Sequence, residues 1–187
     1  ASYEQALESI ENGVENITHL FNAMNTFHHR HPGILGAAFN TDTTSELIAD
    51  TVHVHPDLFQ LVVRLKGVDN IVLVTDSMQA GGMKPGKYEL GGQQVIVDNN
   101  SARLEDGTLA GSILTLNQAV SNMFKHTDLE LPAVVNMASL NPAQVVGVAD
   151  QKGSIEVNKS ADFAIFNQEF AVETTIVEGK IVYSKNN

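Results

Sequence analysis

The chain has 187 residues and carries a net charge of −11, from 11 Lys+Arg against 22 Asp+Glu. Such an acidic balance argues against nucleic acid and anionic membrane, which reward clustered Lys and Arg. No apolar run reaches the roughly 18 residues of a membrane helix. With no cysteine, disulfides, thiolate nucleophiles and thiolate metal sites are excluded, which suits a reducing, cytoplasmic setting. No basic-then-apolar leader is expected either.

Ser2-Tyr3-Glu4-Gln5 reads as a capping box opening a helix over 2–12, with Ser2 as N-cap and Gln5 at N3. A strand is predicted over 16–21, then a polar, histidine-rich loop from Thr26 to Gly33, then a second strand over 45–50. His55 to Lys66 reads as a helix: Pro56 suits its first turn, Leu58, Leu61, Val62 and Leu65 form its apolar face, and Gly67 ends it. Ile71-Val72-Leu73-Val74 is a continuous aliphatic run, as in a parallel strand buried on both faces. This alternation predicts a parallel α/β sheet or barrel over residues 1–150. Residues 86–108 break the pattern and read as a small antiparallel meander inserted before a helix near 114–125. Helices over 132–138 and 141–147 follow. The tail, 151–187, reads as a small β-module with strands at 154–157, 163–166, 174–177 and 180–183.

Three polar residues fall at or just past the C-terminal ends of the predicted parallel strands: His19, His53 and Asp76. In parallel α/β folds that end of the sheet carries the active site. His19 interrupts the apolar run Ile17 to Phe21, so it is either a metal ligand or acid/base group, or a core histidine bonded to a carbonyl. Asp76 follows four aliphatic residues, so its carboxylate is expected to be partly desolvated and to need a partner. A turn-forming or helix-capping aspartate is the plainer alternative. His53 and His55 would share one side of a strand. His53 is the preferred site residue, and His55, before Pro56, the start of a helix. Arg30, the lone arginine in the first 60 residues, is a candidate anion anchor within a solvated loop. Gly107-Thr108-Leu109-Ala110-Gly111-Ser112 precedes a helix, and its backbone amides are candidates for holding an anion or a hydroxyl-rich ligand.

Taken in order, Thr18–Met24, His29–Gly33, Leu47–Pro56, Leu73–Met78, Gly107–Ser112, Ala138–Ala143 and Lys152–Phe163 resemble the N-acetylglucosamine-6-phosphate deacetylase family of the amidohydrolase superfamily. Each motif is weak alone; their order and spacing are specific. The resemblance implies the C-terminal half of a (β/α)₈ TIM barrel plus part of a small β-sandwich. It implies amide hydrolysis of a small sugar phosphate, N-acetylglucosamine 6-phosphate, by metal-activated water. The ion would be divalent, zinc first, with iron, manganese or cobalt as alternatives.

Carried over residue by residue, the resemblance makes His19 a metal ligand and Asp76 the catalytic carboxylate. Asn22, Ala23 and Arg30 would bind substrate chiefly through its phosphate, Arg30 across a homodimer interface. His53 would touch the substrate and polarise the scissile carbonyl, and Leu109, Ala110 and Gly111 would cover the sugar. Two departures stand out. The family has Gly where this chain has Thr51. Its other metal ligands, an acidic residue and an earlier histidine, would precede Ala1, so a closed metal site is not expected from these residues alone. A related hydrolase of cyclic amides or nucleobases, and a non-catalytic fragment, are the competing expectations.

Overall fold

The computed structural model describes residues 1–98 and 101–185. The capping box forms as expected: the Gln5 amide donates to Ser2 Oγ (3.2 Å) and the Ser2 amide donates to Gln5 Oε1 (2.9 Å). It opens α1 (Tyr3–Glu11). Then come β1 (Asn16–Ile17), α2 (Gly33–Asn40), β2 (Thr44–Leu47), α3 (Asp57–Lys66) and β3 (Ile71–Leu73). These strands form a parallel sheet in the order β1-β2-β3, with Ile17 beside Ser45 and Leu47 beside Leu73. The parallel α/β pattern is therefore present, built on strands shorter than the aliphatic runs suggest.

The meander is β4 (Gly86–Leu90), β5 (Gln93–Val97) and β6 (Ala102–Leu104), all antiparallel. Helices α4 (Leu116–His126), α5 (Leu131–Ala138) and α6 (Leu140–Val145) follow and close against β3. The tail holds β7 (Phe163–Phe166), β8 (Val172–Val177) and β9 (Lys180–Ser184) in a separate antiparallel sheet. Residues 154–157 are not a strand: no strand among the described residues pairs with them, and Ile155 and Val157 stand 85% and 90% exposed. Two elements depart further from expectation. α2 was not anticipated, because Gly33 and Gly36 mask its helical pattern. β1 ends at Ile17 rather than Phe21, for reasons set by the site.

The main core joins Leu20, Leu47, Ile48, Phe59, Ile71, Met123 and Met137, each fully or almost fully buried. Buried Asn141 fastens α6 to the start of β3, donating through Nδ2 to the carbonyls of Val68 (2.9 Å) and Ile71 (2.7 Å). Asn141 therefore packs the first turn of α6 and does not cap it, since the helix opens one residue earlier, at Leu140, with Ser139 as its N-cap. Phe170 joins the tail to the core, lying 5.8 Å from Phe124 and 5.5 Å from Phe166, while Asn117 Nδ2 donates to its carbonyl (2.8 Å). No helix among the described residues is long and apolar enough to cross a membrane.

Candidate active site

After Ile17 the chain leaves the sheet. His19, Phe21 and Ala23 take φ values of 30°, 75° and 54°, in or near the left-handed region, and this alternation cannot continue a strand. The fully buried Leu20 pins the turn, its amide donating to the Glu46 carbonyl (2.7 Å). Phe21 packs on Phe39 at 6.0 Å. Asn22 closes the turn, with its amide on the His19 carbonyl (2.9 Å) and its Nδ2 on the Leu20 carbonyl (3.1 Å). Ala23 is exposed beside it.

The turn leaves His19 Nδ1 buried without a hydrogen-bond partner among the described residues. A buried ring nitrogen in that state costs on the order of 1–3 kcal/mol. The plainer expectation of a core histidine bonded to a carbonyl is therefore not met at this nitrogen. The orphaned atom fits a single ligand to a divalent ion. A complete set does not form: no group of three or more His, Asp or Glu able to hold a metal occurs among the described residues.

Past β2 the chain turns on Asp50. Its Oδ1 accepts the amides of Val52 (2.9 Å) and His53 (2.8 Å), and its Oδ2 meets His53 Nδ1 at 2.6 Å. The two side chains are 8% and 7% exposed. Burial pushes the Asp50 carboxyl up, but the hydrogen bonds from His53 and Val52 outweigh it and hold the group below its ordinary range. Asp50 is the site residue that sequence reasoning missed. The signal was Asp-Thr-Val-His itself, since an aspartate commonly caps amides two residues on. His55 separates from the site as expected: it is exposed, and its Nδ1 accepts the Asp57 amide (3.3 Å) at the start of α3. A cleft of about 370 Å³ opens beside the Asp50–His53 pair, with Thr51, Thr115, Gln118 and Asn122 in its walls.

Asp76 departs from expectation. β3 ends at Leu73, so the carboxylate clears the sheet; it is exposed and has no side-chain hydrogen bond among the described residues. Its backbone, by contrast, is fixed. At φ 47° it offers its carbonyl to the Ser112 amide (2.9 Å), and the Met78 amide returns to the Ser112 carbonyl (2.9 Å). Ser112 Oγ also donates to the Thr75 carbonyl.

The glycine-rich loop is consumed by the same arrangement. The amides of Gly107, Thr108, Ala110 and Ser112 bond within the chain, to Leu104, Asp106, Ala102 and Asp76. Those four are not free to hold an anion, which corrects the broad expectation; Leu109 and Gly111 remain the candidates. Ala110 is buried against Val95, Val97 and Ala102 of the meander. Gly111, at φ 68°, lies where an added Cβ would stand 3.3 Å from the Asp76 carbonyl. Arg30 is exposed in a tight turn over His28–His31, its Nη1 2.9 Å from His29 Nε2. The folded chain thus sets His19, His53 and Asp76 two, six and three residues past the ends of β1, β2 and β3.

The sequence profile of the Amidohydrolase family matches residues 1–182. The N-acetylglucosamine-6-phosphate deacetylase of Bacillus subtilis is 44% identical over 172 residues, which is 91% of this chain and 43% of that protein. The crystal structure of N-acetylglucosamine-6-phosphate deacetylase from Thermotoga maritima superposes with a TM-score of 0.93 at 38% identity, covering 99% of this chain and 51% of that one. A mutant of the Mycobacterium smegmatis deacetylase, solved in complex with N-acetyl-D-glucosamine-6-phosphate, gives a TM-score of 0.93 at 31% identity, covering 98% and 49%. The chain spans about half the length of these relatives.

Proposed function

We propose, for a chain that belongs to the amidohydrolase family, that the whole protein hydrolyses N-acetylglucosamine 6-phosphate to glucosamine 6-phosphate and acetate. Residues 1–150 would form the C-terminal part of its (β/α)₈ barrel, with the meander inserted, and 151–187 a segment of its small β-sandwich. The observation that carries this reading is the placement of His19, His53 and Asp76 just beyond three neighbouring parallel strands, in a chain whose relatives are named for that reaction.

In this reading His19 holds a divalent ion, zinc first, together with ligands from outside these 187 residues. When bound, such an ion lowers the pKa of water toward ~7 and polarises the acetamide. Asp76, whose carboxylate is exposed and has no side-chain hydrogen bond among the described residues, takes the proton of the attacking water and delivers it to the departing nitrogen. His53 meets the acyl oxygen. Asn22, Ala23 and Arg30 hold the phosphate, the exposed Arg30 reaching into the partner of a homodimer. Leu109, Ala110 and Gly111 cover the sugar. The setting is cytoplasmic.

Acetate release by the metal-loaded whole protein tests the reading. Asp76→Asn is expected to lower turnover by about 10²- to 10⁴-fold, the ordinary contribution of a positioned acid/base group, with bound metal unchanged. Loss of metal together with activity would make Asp76 a ligand instead. A metal-loaded protein that releases no acetate would overturn the proposal.

A further inference from the structure

We propose that Glu46 is a positioning residue for His19, fixing the chain on both sides of that histidine so that its ring is held ready for a divalent ion. The inference rests on the reading of His19 as a metal ligand, but not for how the chain is held. The Glu46 side chain grips the residue before His19: Oε2 accepts the Thr18 hydroxyl at 2.7 Å. The Glu46 backbone grips the residue after it, its carbonyl accepting the amide of fully buried Leu20 at 2.7 Å. One residue of β2 thus brackets His19.

The need for such a bracket follows from where β1 stops. Asn16 lies beside Thr44 and Ile17 beside Ser45, and the ladder goes no further. His19 then takes a φ of 30°, and backbone of that kind persists only where other contacts fix it. Side chains alternate along a strand, so Asn16, Thr44 and Glu46 share the face opposite Ile17 and Leu47, which are buried in the main core. On that face Glu46 Oε1 accepts Asn16 Nδ2 at 3.0 Å, and Asn16 Oδ1 accepts the Thr44 hydroxyl at 2.8 Å. Thr18 turns its hydroxyl to the same side and joins this chain of bonds through half-buried Glu46. His19 Nδ1 is itself buried without a hydrogen-bond partner among the described residues. No bond to that nitrogen steadies it, so its place is inherited from Thr18 and Leu20. Partners outside the ligand set commonly tune how well a histidine holds its ion.

The dissociation constant of zinc from the folded whole protein, measured by competition with a chromogenic chelator, tests this. Glu46→Ala is expected to weaken zinc binding by about 10-fold, the lower end of what outer partners of a metal ligand supply. Glu46→Gln is expected to restore most of it, because a glutamine oxygen can accept the Thr18 hydroxyl while its NH₂ donates to Asn16 Oδ1, which has a second lone pair. A loss that glutamine does not restore would trace to the carboxylate's charge and overturn the proposal. Thr18→Val removes the hydroxyl at nearly constant shape and is expected to weaken zinc binding in the same direction. Combined with Glu46→Ala it should add little, since the two share one bond; additive losses would overturn the proposal. Should Glu46→Ala fail to fold, Thr18→Val decides alone. Variants that lower the urea midpoint but hold zinc as tightly as the wild type would show that Glu46 only stabilises the sheet, leaving His19 as a ligand. A wild-type protein that holds no divalent ion would overturn the ligand reading and this proposal with it. One that holds zinc, loses it in the variants as expected and yet releases no acetate would overturn the reaction and leave the role of Glu46 standing.

Discussion

Left-handed backbone gathers where the proposed chemistry lies. His19, Phe21, Ala23, Thr51 and Asp76 supply five of the eight non-glycine residues with positive φ among those described. Each costs roughly 1–2 kcal/mol relative to ordinary backbone, and such strain persists only where surrounding contacts over-determine it. Leu20 at the first turn, Asp50 at the second and Ser112 at the third are those contacts. Thr51 is the least favourable of the five, because a β-branched side chain suits this region poorly. Its side chain is exposed and makes no hydrogen bond among the described residues. Thr51→Gly is therefore expected to raise stability by up to about 1 kcal/mol, the relief of strain being partly offset by the flexibility of glycine in the unfolded chain. The midpoint of urea unfolding of the whole protein measures it; a lower midpoint would mean that Thr51 makes a contact worth more than its strain.

At the level of elements, α2 is held from its C-terminal end by a lysine on another helix. Lys66 is 5% exposed, and its Nζ donates to the carbonyls of Ala38 (2.6 Å) and Thr41 (2.9 Å). An ammonium is well placed there, since the last carbonyls of a helix are otherwise unsatisfied and carry its negative pole. Burial pulls the Lys66 amine below its usual range, opposed by the carboxylate of Asp42. Lys66→Met keeps the volume but strands both carbonyls, so a loss of about 2–4 kcal/mol is expected in chemical denaturation, at 1–3 kcal/mol per buried orphan in part relieved by water. The same helix marks the limit of sequence reading. α1, α3 and the meander were legible because capping residues, apolar spacing and Gly turns agree in them. α2 was not, because its two glycines hide a helix whose far end is secured by a residue 26 positions after Asn40. At the site, residue types and their order were legible, while the burial of His19 Nδ1, the exposure of Asp76 and the grip of Asp50 on His53 were not. These depend on where each strand stops, and the aliphatic runs continue beyond the last ladder bond.

Across the whole molecule, the parallel sheet, the meander and the tail are joined at a few points: Asn141 to β3, Phe170 to α4, and Ser112 to the segment after β3. The last of these has a topological consequence. Thr75–Met78 and Ser112 are bonded to each other on both sides, so everything between them is an excursion that leaves the body and returns to the point of departure. A cut at its exposed tip, Gly91-Gly92, should not release Asp76, because the carboxylate is located by the two feet of the excursion and not by its continuity. Limited proteolysis at that tip is expected to give two fragments that co-migrate on gel filtration and retain most of the turnover of the whole protein; separation of the pieces would show that the chain itself, rather than the clasp, keeps them in register. The excursion is then a natural place to graft a foreign domain. Conversely, a ligand settling on Leu109–Gly111 would pull on the very hydrogen bonds from which Asp76 hangs, so the loop proposed to cover the sugar and the carboxylate proposed to move the proton are mechanically one.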